Sequence, residues 1–162
     1  MPEKIRILMV EDHLLFRVGL KSLFADYPNL EVIAEAGNGE EAIKLTDELK
    51  PDVILMDIAL PKMSGIEATR KIKEKYPDIK VIMLTSHTDE NEVMQSLSAG
   101  ANAYAMKDIK TDYLMMVIQS VKEGAIWLDP QIVPVVKAKN PNLLQAKPQS
   151  RASFKADHAN LT

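Results

Sequence analysis

Short apolar runs alternate with amphipathic stretches along the first 125 residues, and this alternation restricts the chain to few architectures. Each run is rich in Val, Ile, Leu, Met or Ala and too short for a helix, as expected of a strand buried on both faces. The predicted strands are Ile5–Val10, Leu30–Ala34, Val53–Met56, Val81–Leu84 and Ala103–Met106. Because short loops join strands to helices, the sequence predicts an α/β fold: a doubly wound, five-stranded parallel sheet with helices on both faces.

Capping residues mark where several helices begin. Asn38 with Glu41, and Asp89 with Glu92, each form the pattern in which a side chain at the helix start accepts from the backbone three residues on. Thr111 is predicted to cap the last helix in the same way. The five strands are thus separated by well-delimited helices.

The composition of the last part of the chain differs from that of the first. From about residue 138 the sequence is rich in Asn, Pro, Gln, Lys and Ser, which is typical of a flexible linker. Because the alternation of strands and helices covers the first 125 residues, we predict a domain over residues 1–125 and a linker over residues 126–162. Residues 1–136 hold 15 Lys and Arg against 22 Asp and Glu, so the domain itself is not expected to bind nucleic acid.

Cellular location is constrained by what the sequence lacks. There is no cysteine, which excludes disulfides and thiolate metal sites. No apolar run reaches 18 residues, and the first ten residues do not resemble a secretory signal. The sequence therefore predicts a cytoplasmic protein without a membrane span.

Five polar side chains follow the predicted strands at the point where each strand ends. They are Glu11 and Asp12 after the first strand, Asp57 after the third, Thr85 after the fourth and Lys107 after the fifth. The carboxyl ends of parallel strands share one edge of the sheet, where ligands bind in folds of this class. We therefore expect these side chains to form one site.

The residue types in this set indicate phosphoryl chemistry. Three converging carboxylates repel one another unless a cation lies among them, and an oxygen-only set favours Mg²⁺ over zinc. Asp57 can act as a carboxylate nucleophile that forms an aspartyl phosphate. Lys107 supplies a positive charge and Thr85 a hydrogen bond for the phosphoryl oxygens.

These residues and their neighbours resemble the motifs of two-component response-regulator receivers. The matching fragments are Glu11-Asp12, the run MDIALPKMSG from Met56 to Gly65, Thr85-Ser86 and Ala105-Met106-Lys107. The separations of 45, 28 and 22 residues between Asp12, Asp57, Thr85 and Lys107 are similar to those of the family, over roughly residues 4–125. The resemblance implies a flavodoxin-like (βα)5 fold with strand order 2-1-3-4-5.

The resemblance also implies roles at the metal and phosphoryl site. Asp57 would accept the phosphoryl group from a sensor histidine kinase, and Lys107 would pair with it. Mg²⁺ would be held by Asp12, Asp57 and the backbone carbonyl of Ala59, with Glu11 in support.

Further residues would couple this site to the rest of the domain. By the same resemblance, Thr85 would move toward the phosphoryl group and Tyr104 would turn inward with it. Ala59 and His87, each two residues beyond Asp57 and Thr85, lie where the family tunes the rate of dephosphorylation.

Two segments resemble the NarL/FixJ branch of the family. Lys107 is followed by Asp108, where many other receivers have proline, and Gly124–Pro130 is similar to the stretch after the last helix of that branch. Asn160–Thr162 resembles the beginning of its LuxR-type helix-turn-helix domain. The resemblance implies a truncated transcription regulator that binds DNA only through a C-terminal domain absent here.

Apolar side chains outside the predicted helix cores suggest a partner surface. The predicted core positions are Phe16, Leu20, Leu23 and Phe24 in the first helix, and Leu114, Val117, Ile118 and Val121 in the last. Leu14, Val18, Met115 and Met116 lie away from these stripes. We hypothesise a homodimer through helices one and five; methionines at a loosely packed surface are the alternative.

Two other functions are compatible with parts of this pattern. A stand-alone receiver would act by binding another protein. A phosphatase of the haloacid-dehalogenase type would use a similar nucleophile, but it needs a second aspartate two residues later, where this chain has Ala59. We therefore expect no enzymatic activity beyond slow self-phosphorylation and self-dephosphorylation.

Overall fold

The computed structural model describes residues 3–139, which form an α/β fold around a parallel sheet. The strands are β1 (Ile5–Val10), β2 (Leu30–Ala36), β3 (Val53–Asp57), β4 (Lys80–Thr85), β5 (Ala103–Met106) and β6 (Trp127–Leu128). The helices are α1 (Leu14–Phe24), α2 (Gly39–Leu49), α3 (Gly65–Lys75), α4 (Glu90–Ser98), α5 (Thr111–Lys122) and α6 (Val133–Lys139). The strand order is β2-β1-β3-β4-β5-β6, and every neighbouring pair is parallel.

Each face of the sheet carries its own hydrophobic core. Because side chains alternate along a strand, Leu8 and Val10 point to one face while Ile7 and Met9 point to the other. The first core includes residues of α2, α3, α4 and α6, and the second includes residues of α1 and α5. The helices therefore cover both faces, as predicted.

Most predicted helix starts are confirmed. The Asn38 and Asp89 side chains each accept a hydrogen bond of 2.9 Å from the backbone N–H three residues on. The prediction for Thr111 was wrong: it is the first residue of α5, and the cap, Lys110, makes no side-chain bond to the helix. Leu23, predicted to be in the core, is 45% exposed.

The sheet continues beyond the five strands predicted. β6 pairs with β5, and the Asp129 backbone N–H donates to the Tyr104 carbonyl at 2.9 Å. Ile132 is fully buried, and Val136 of α6 is buried in the same core as α4. The predicted boundary at residue 125 therefore falls before the sheet ends, because backbone pairing and apolar burial hold residues 127–139 against β5 and α4. The rest of the predicted linker, residues 140–162, lies outside the described residues.

Within residues 3–139, no helix combines the length and apolar character needed to cross a membrane.

Candidate functional site

A partly buried lysine links two buried carboxylates at the carboxyl edge of the sheet. The Lys107 ammonium lies 2.6 Å from Oε1 of Glu11 and 3.2 Å from Oδ2 of Asp57. Glu11 and Asp57 are only 2% and 5% exposed. Three residues that are far apart in sequence thus meet at one point, as predicted from the strand ends.

Strand register explains why these residues meet. β1 and β3 pair with Val10 opposite Met56, so the next residues, Glu11 just after β1 and Asp57 at the end of β3, lie side by side. On the other side of β3, Thr85 is opposite Met106, and the Lys107 N–H donates to the Thr85 carbonyl at 2.8 Å. The loop after β3 closes tightly, since any side chain at Gly65 would collide with the Asp57 carbonyl.

The charges at this point perturb one another strongly. Burial, and next the negative charge of Glu11, raise the pKa of Asp57 to about 6. Burial would also raise the pKa of Glu11, but hydrogen bonds from Lys107 and the His13 backbone lower it below its usual range. The pKa of Lys107 is raised despite its burial, because both carboxylates favour the ammonium. Of the two carboxylates, Asp57 is therefore the one whose ionised form a further positive charge would stabilise most.

Thr85, His87 and Tyr104 form a chain of contacts beside Asp57. The His87 N–H donates to the Thr85 hydroxyl at 3.2 Å, and the Tyr104 hydroxyl donates to the His87 carbonyl at 3.2 Å. The Tyr104 side chain is fully buried, and this burial raises the pKa of its hydroxyl to about 12. The predicted switch residues are thus connected through the backbone of the β4–α4 loop.

The first acidic segment fits a hard divalent cation. Glu11, Asp12 and His13 bring ligand atoms within 4.8 Å of one another, and Asp12 is exposed to solvent. The nearby Asp57 adds a buried carboxylate, so the acidic groups outnumber the single ammonium of Lys107. This acidic cluster is compatible with Mg²⁺. For Ala59, the contact at the site is its backbone N–H, which donates to Oδ1 of Asp57 at 3.3 Å.

Several contacts from α1 to this site were not predicted. Phe16 places its ring centroid 4.8 Å from the Lys107 ammonium. Arg17 donates from a terminal nitrogen to the Glu11 carbonyl at 3.0 Å, and its Nε lies 3.2 Å from a Glu35 carboxylate oxygen. The sequence predicts only a core position for Phe16, because an aromatic on an apolar stripe carries no sign of a distant lysine.

The proposed partner surface on α1 and α5 is exposed as predicted, with one exception. Leu14, Val18 and Met116 are 61%, 54% and 54% exposed. Met115 is half-buried and packs against the core on its side of the sheet. A groove of about 480 Å³ separates α1 from α5, with Leu15 on its wall.

Comparison with known proteins decides the family. The sequence profile of the response regulator receiver domain matches residues 7–119, which is more than half of the chain. The chain belongs to the response regulator receiver family. The receiver is also similar to transcriptional regulatory proteins of the LuxR/NarL type. It is 42% identical to DegU of Brevibacillus brevis over 80% of its own length and 55% of that protein.

Other relatives agree with this placement. The receiver is 38% identical to the response regulator VraR of Staphylococcus aureus over 84% of its own length and 64% of that protein. Compared with these relatives, it spans about 55–64% of their length.

Solved structures of the same branch have the same fold. A LuxR-family response regulator from an Aurantimonas species is 30% identical with a TM-score of 0.80, over 86% of this receiver and 100% of that chain. The receiver domain of NarL from Mycobacterium tuberculosis is 28% identical with a TM-score of 0.73, over 76% and 99%. The predicted resemblance to the NarL/FixJ branch is thereby confirmed.

Proposed function

We propose that this receiver is switched by phosphorylation of Asp57, with a sensor histidine kinase as the phosphoryl donor. The observation that carries the proposal is the burial of Asp57 3.2 Å from the Lys107 ammonium. The Asp57 carboxylate attacks phosphorus as the phosphorus–nitrogen bond of the kinase phosphohistidine breaks, and the imidazole that leaves takes up a proton. Asp57 needs no general base because it is largely ionised above pH 6.

Mg²⁺ would be held in this site by Asp12, Asp57 and the Ala59 carbonyl, with Glu11 acting through water. When bound, it would supply positive charge for the carboxylates and for the phosphoryl oxygens. Lys107 contacts Asp57 already, so it is placed to pair with a phosphoryl group there. Glu11 keeps that lysine protonated and oriented.

The response to phosphorylation would pass through Thr85 and Tyr104. The Thr85 hydroxyl would turn to a phosphoryl oxygen and release its bond with the His87 N–H. Because Tyr104 is bonded to the carbonyl of the same His87, its position would change with that loop. Ala59 and His87 flank the phosphorylation site and would set the rate at which water removes the phosphoryl group.

The output of the switch would be transcription control in the cytoplasm. This proposal is supported by relatives that are named transcriptional regulatory proteins and are longer than this chain. DNA would be bound through a LuxR-type helix-turn-helix domain outside the receiver.

The phosphorylation proposal is tested by intact mass. Wild-type protein and Asp57→Asn are incubated with Mg²⁺ and acetyl phosphate, a small phosphoryl donor. We expect the mass of one phosphoryl group on the wild type alone. A gain of equal size on Asp57→Asn would contradict the assignment, as would no gain by a folded, Mg²⁺-bound wild type.

We also propose that the receiver forms a homodimer through α1 and α5. Leu14, Val18 and Met116 provide exposed apolar surface, and Met115 borders it. The test is the mass measured by light scattering over a range of concentrations, with and without acetyl phosphate. Met116→Lys should keep the protein monomeric, whereas Ile126→Lys, at an exposed position outside these helices, should not. If Met116→Lys has the same mass as wild type at every concentration, this interface is contradicted.

A further inference from the structure

The aromatic ring of Phe16 lies against the one cationic side chain that contacts Asp57 among the described residues. Its centroid is 4.8 Å from the Lys107 ammonium, within the range in which the face of an aromatic ring attracts a cation. Lys107 is only 16% exposed, so the attraction is little screened by water. Phe16 comes from α1, while the other contacts of this ammonium come from the carboxyl ends of β1 and β3.

Lys107 needs such a contact because its two carboxylate partners hold it unequally. The ammonium is closer to Glu11, at 2.6 Å, than to Asp57, at 3.2 Å. A lysine side chain is flexible, and a strong ion pair with Glu11 alone would draw the charge away from Asp57. A third contact, from a residue of α1, limits where the ammonium can settle.

An aromatic face is well suited to this task. It attracts the ammonium without a formal negative charge, so it does not add to the repulsion that an incoming phosphoryl group meets. It also offers no hydrogen-bond acceptor that would compete with the phosphoryl oxygens. A leucine of similar apolar character would fill space beside Lys107 but would not attract its charge.

We propose that Phe16 is a positioning residue that holds the Lys107 ammonium at the phosphorylation site through a cation–π contact. The inference rests on the proposed phosphorylation of Asp57 and extends it, because it adds a residue of α1 to the machinery of the transfer. Phe16 itself touches neither Asp57 nor the phosphoryl group in this scheme; it acts through Lys107.

The first test compares phosphorylation rates in a set of Phe16 variants. The rate of mass gain with acetyl phosphate and saturating Mg²⁺ should fall about 5-fold in Phe16→Leu, as expected for the loss of one cation–π contact. Phe16→Trp, which keeps an aromatic face, should restore most of the rate. Phe24→Leu is the matched control: it makes the same substitution in α1 at a buried core position and should lower stability without this selective loss of rate.

A double-mutant cycle then asks whether Phe16 acts through Lys107. In a Lys107→Gln background, Phe16→Leu should cause no further slowing, because the cation is gone. If Phe16→Leu slows phosphorylation about 5-fold both in wild type and in the Lys107→Gln background, the proposal is overturned and Phe16 is a packing residue. No slowing by Phe16→Leu in the wild-type background would overturn it as well.

A second readout does not depend on phosphorylation. An aromatic ring at this distance shifts the resonances of the Lys107 methylene next to the ammonium, and NMR of protein labelled at lysine can follow them. We expect the shifted signal in the wild type and in Phe16→Trp, and its loss in Phe16→Leu. If the wild type gained no phosphoryl group, the proposed function would fail, but the NMR signal would still show whether Phe16 contacts Lys107. A shifted signal that is lost in Phe16→Leu supports the positioning role. Identical Lys107 signals in all variants overturn it.

Discussion

The carboxyl edge of the sheet and the segment after α5 are stabilised by different forces. At the edge, two buried carboxylates share one ammonium, and burial raises the pKa of Asp57 to about 6. In residues 127–139, backbone pairing with β5 and the complete burial of Ile132 hold the chain in place. The stability of the first region therefore depends on pH and ligands, whereas that of the second depends mainly on packing.

This difference predicts which changes each region tolerates. Neutralising a carboxylate of the site should cost little stability, or add to it, because Glu11 and Asp57 repel each other. The segment after α5 cannot lose apolar volume without cost, because dispersion contacts and the hydrophobic effect are its main sources of stability.

The largest effect is expected for Ile132→Ala. The side chain is fully buried, so its truncation should lower the free energy of unfolding by about 3 kcal/mol. Ile126→Ala, at a position 72% exposed, is the control and should change it by less than about 0.5 kcal/mol. Urea unfolding followed by circular dichroism measures both. Equal, small effects would show that residues 127–139 add little to the fold.

Gly65→Ala should have the next largest effect and should act at the site. The new methyl group would collide with the Asp57 carbonyl, so the loop after β3 must move, at a cost of about 2–3 kcal/mol. The rate of phosphorylation by acetyl phosphate should fall as well. Gly19→Ala is the control, because a methyl group at this position in α1 meets no other atom within 4 Å and should stabilise the helix slightly.

Asp57→Asn is expected to stabilise the protein above pH 6 when Mg²⁺ is absent. A carboxyl group whose pKa is higher in the folded state binds its proton more tightly there, so its contribution to stability is present below about pH 4 and is lost as pH rises through 6. Relative to the Asp57→Asn variant, wild type should lose about 2 kcal/mol across this range. Mg²⁺ should restore much of that loss in wild type only. Thermal melts at pH 4 to 8 measure the effect, and parallel pH curves for the two proteins would contradict it.

Asp129→Asn should have the smallest effect. Oδ2 of the Asp129 side chain accepts from the Met106 N–H at 3.1 Å and Oδ1 accepts from the Gln131 N–H at 2.9 Å. An asparagine has one acceptor oxygen for these two donors, so the free energy of unfolding should fall by about 1 kcal/mol. The loss should be the same with and without Mg²⁺. A loss that disappears with Mg²⁺ would show that the two regions are coupled.

The site was largely predictable from sequence because its chemistry and its location are both constrained. Glu11, Asp57 and Lys107 follow apolar strands, and parallel strands bring their carboxyl ends to one edge. The contact of Phe16 with Lys107 was not predictable, since it depends on how α1 packs on the sheet.

The fold was predictable where the apolar pattern extends over enough residues. β6 has only two residues, too few to show the alternating apolar pattern of a strand. α6 contains Pro134, and proline usually predicts the end of a helix, although the first turn of a helix tolerates it. Leu23 was misplaced because it lies at the margin of the α1 stripe, whose buried centre is formed by Leu20 and Phe24.

The short sixth strand also bears on how copies of the protein avoid joining edge to edge. A free sheet edge offers unpaired backbone groups to other chains and can seed aggregation. At one edge β6 spans only two residues, and a turn that begins at Pro130 follows it. At the other edge, β2 carries charged side chains and a bulge where its register with β1 shifts by one residue, after Val32. Both edges of the described sheet are therefore poor templates for strand addition. This should limit aggregation at protein concentrations high enough for the proposed homodimer to form.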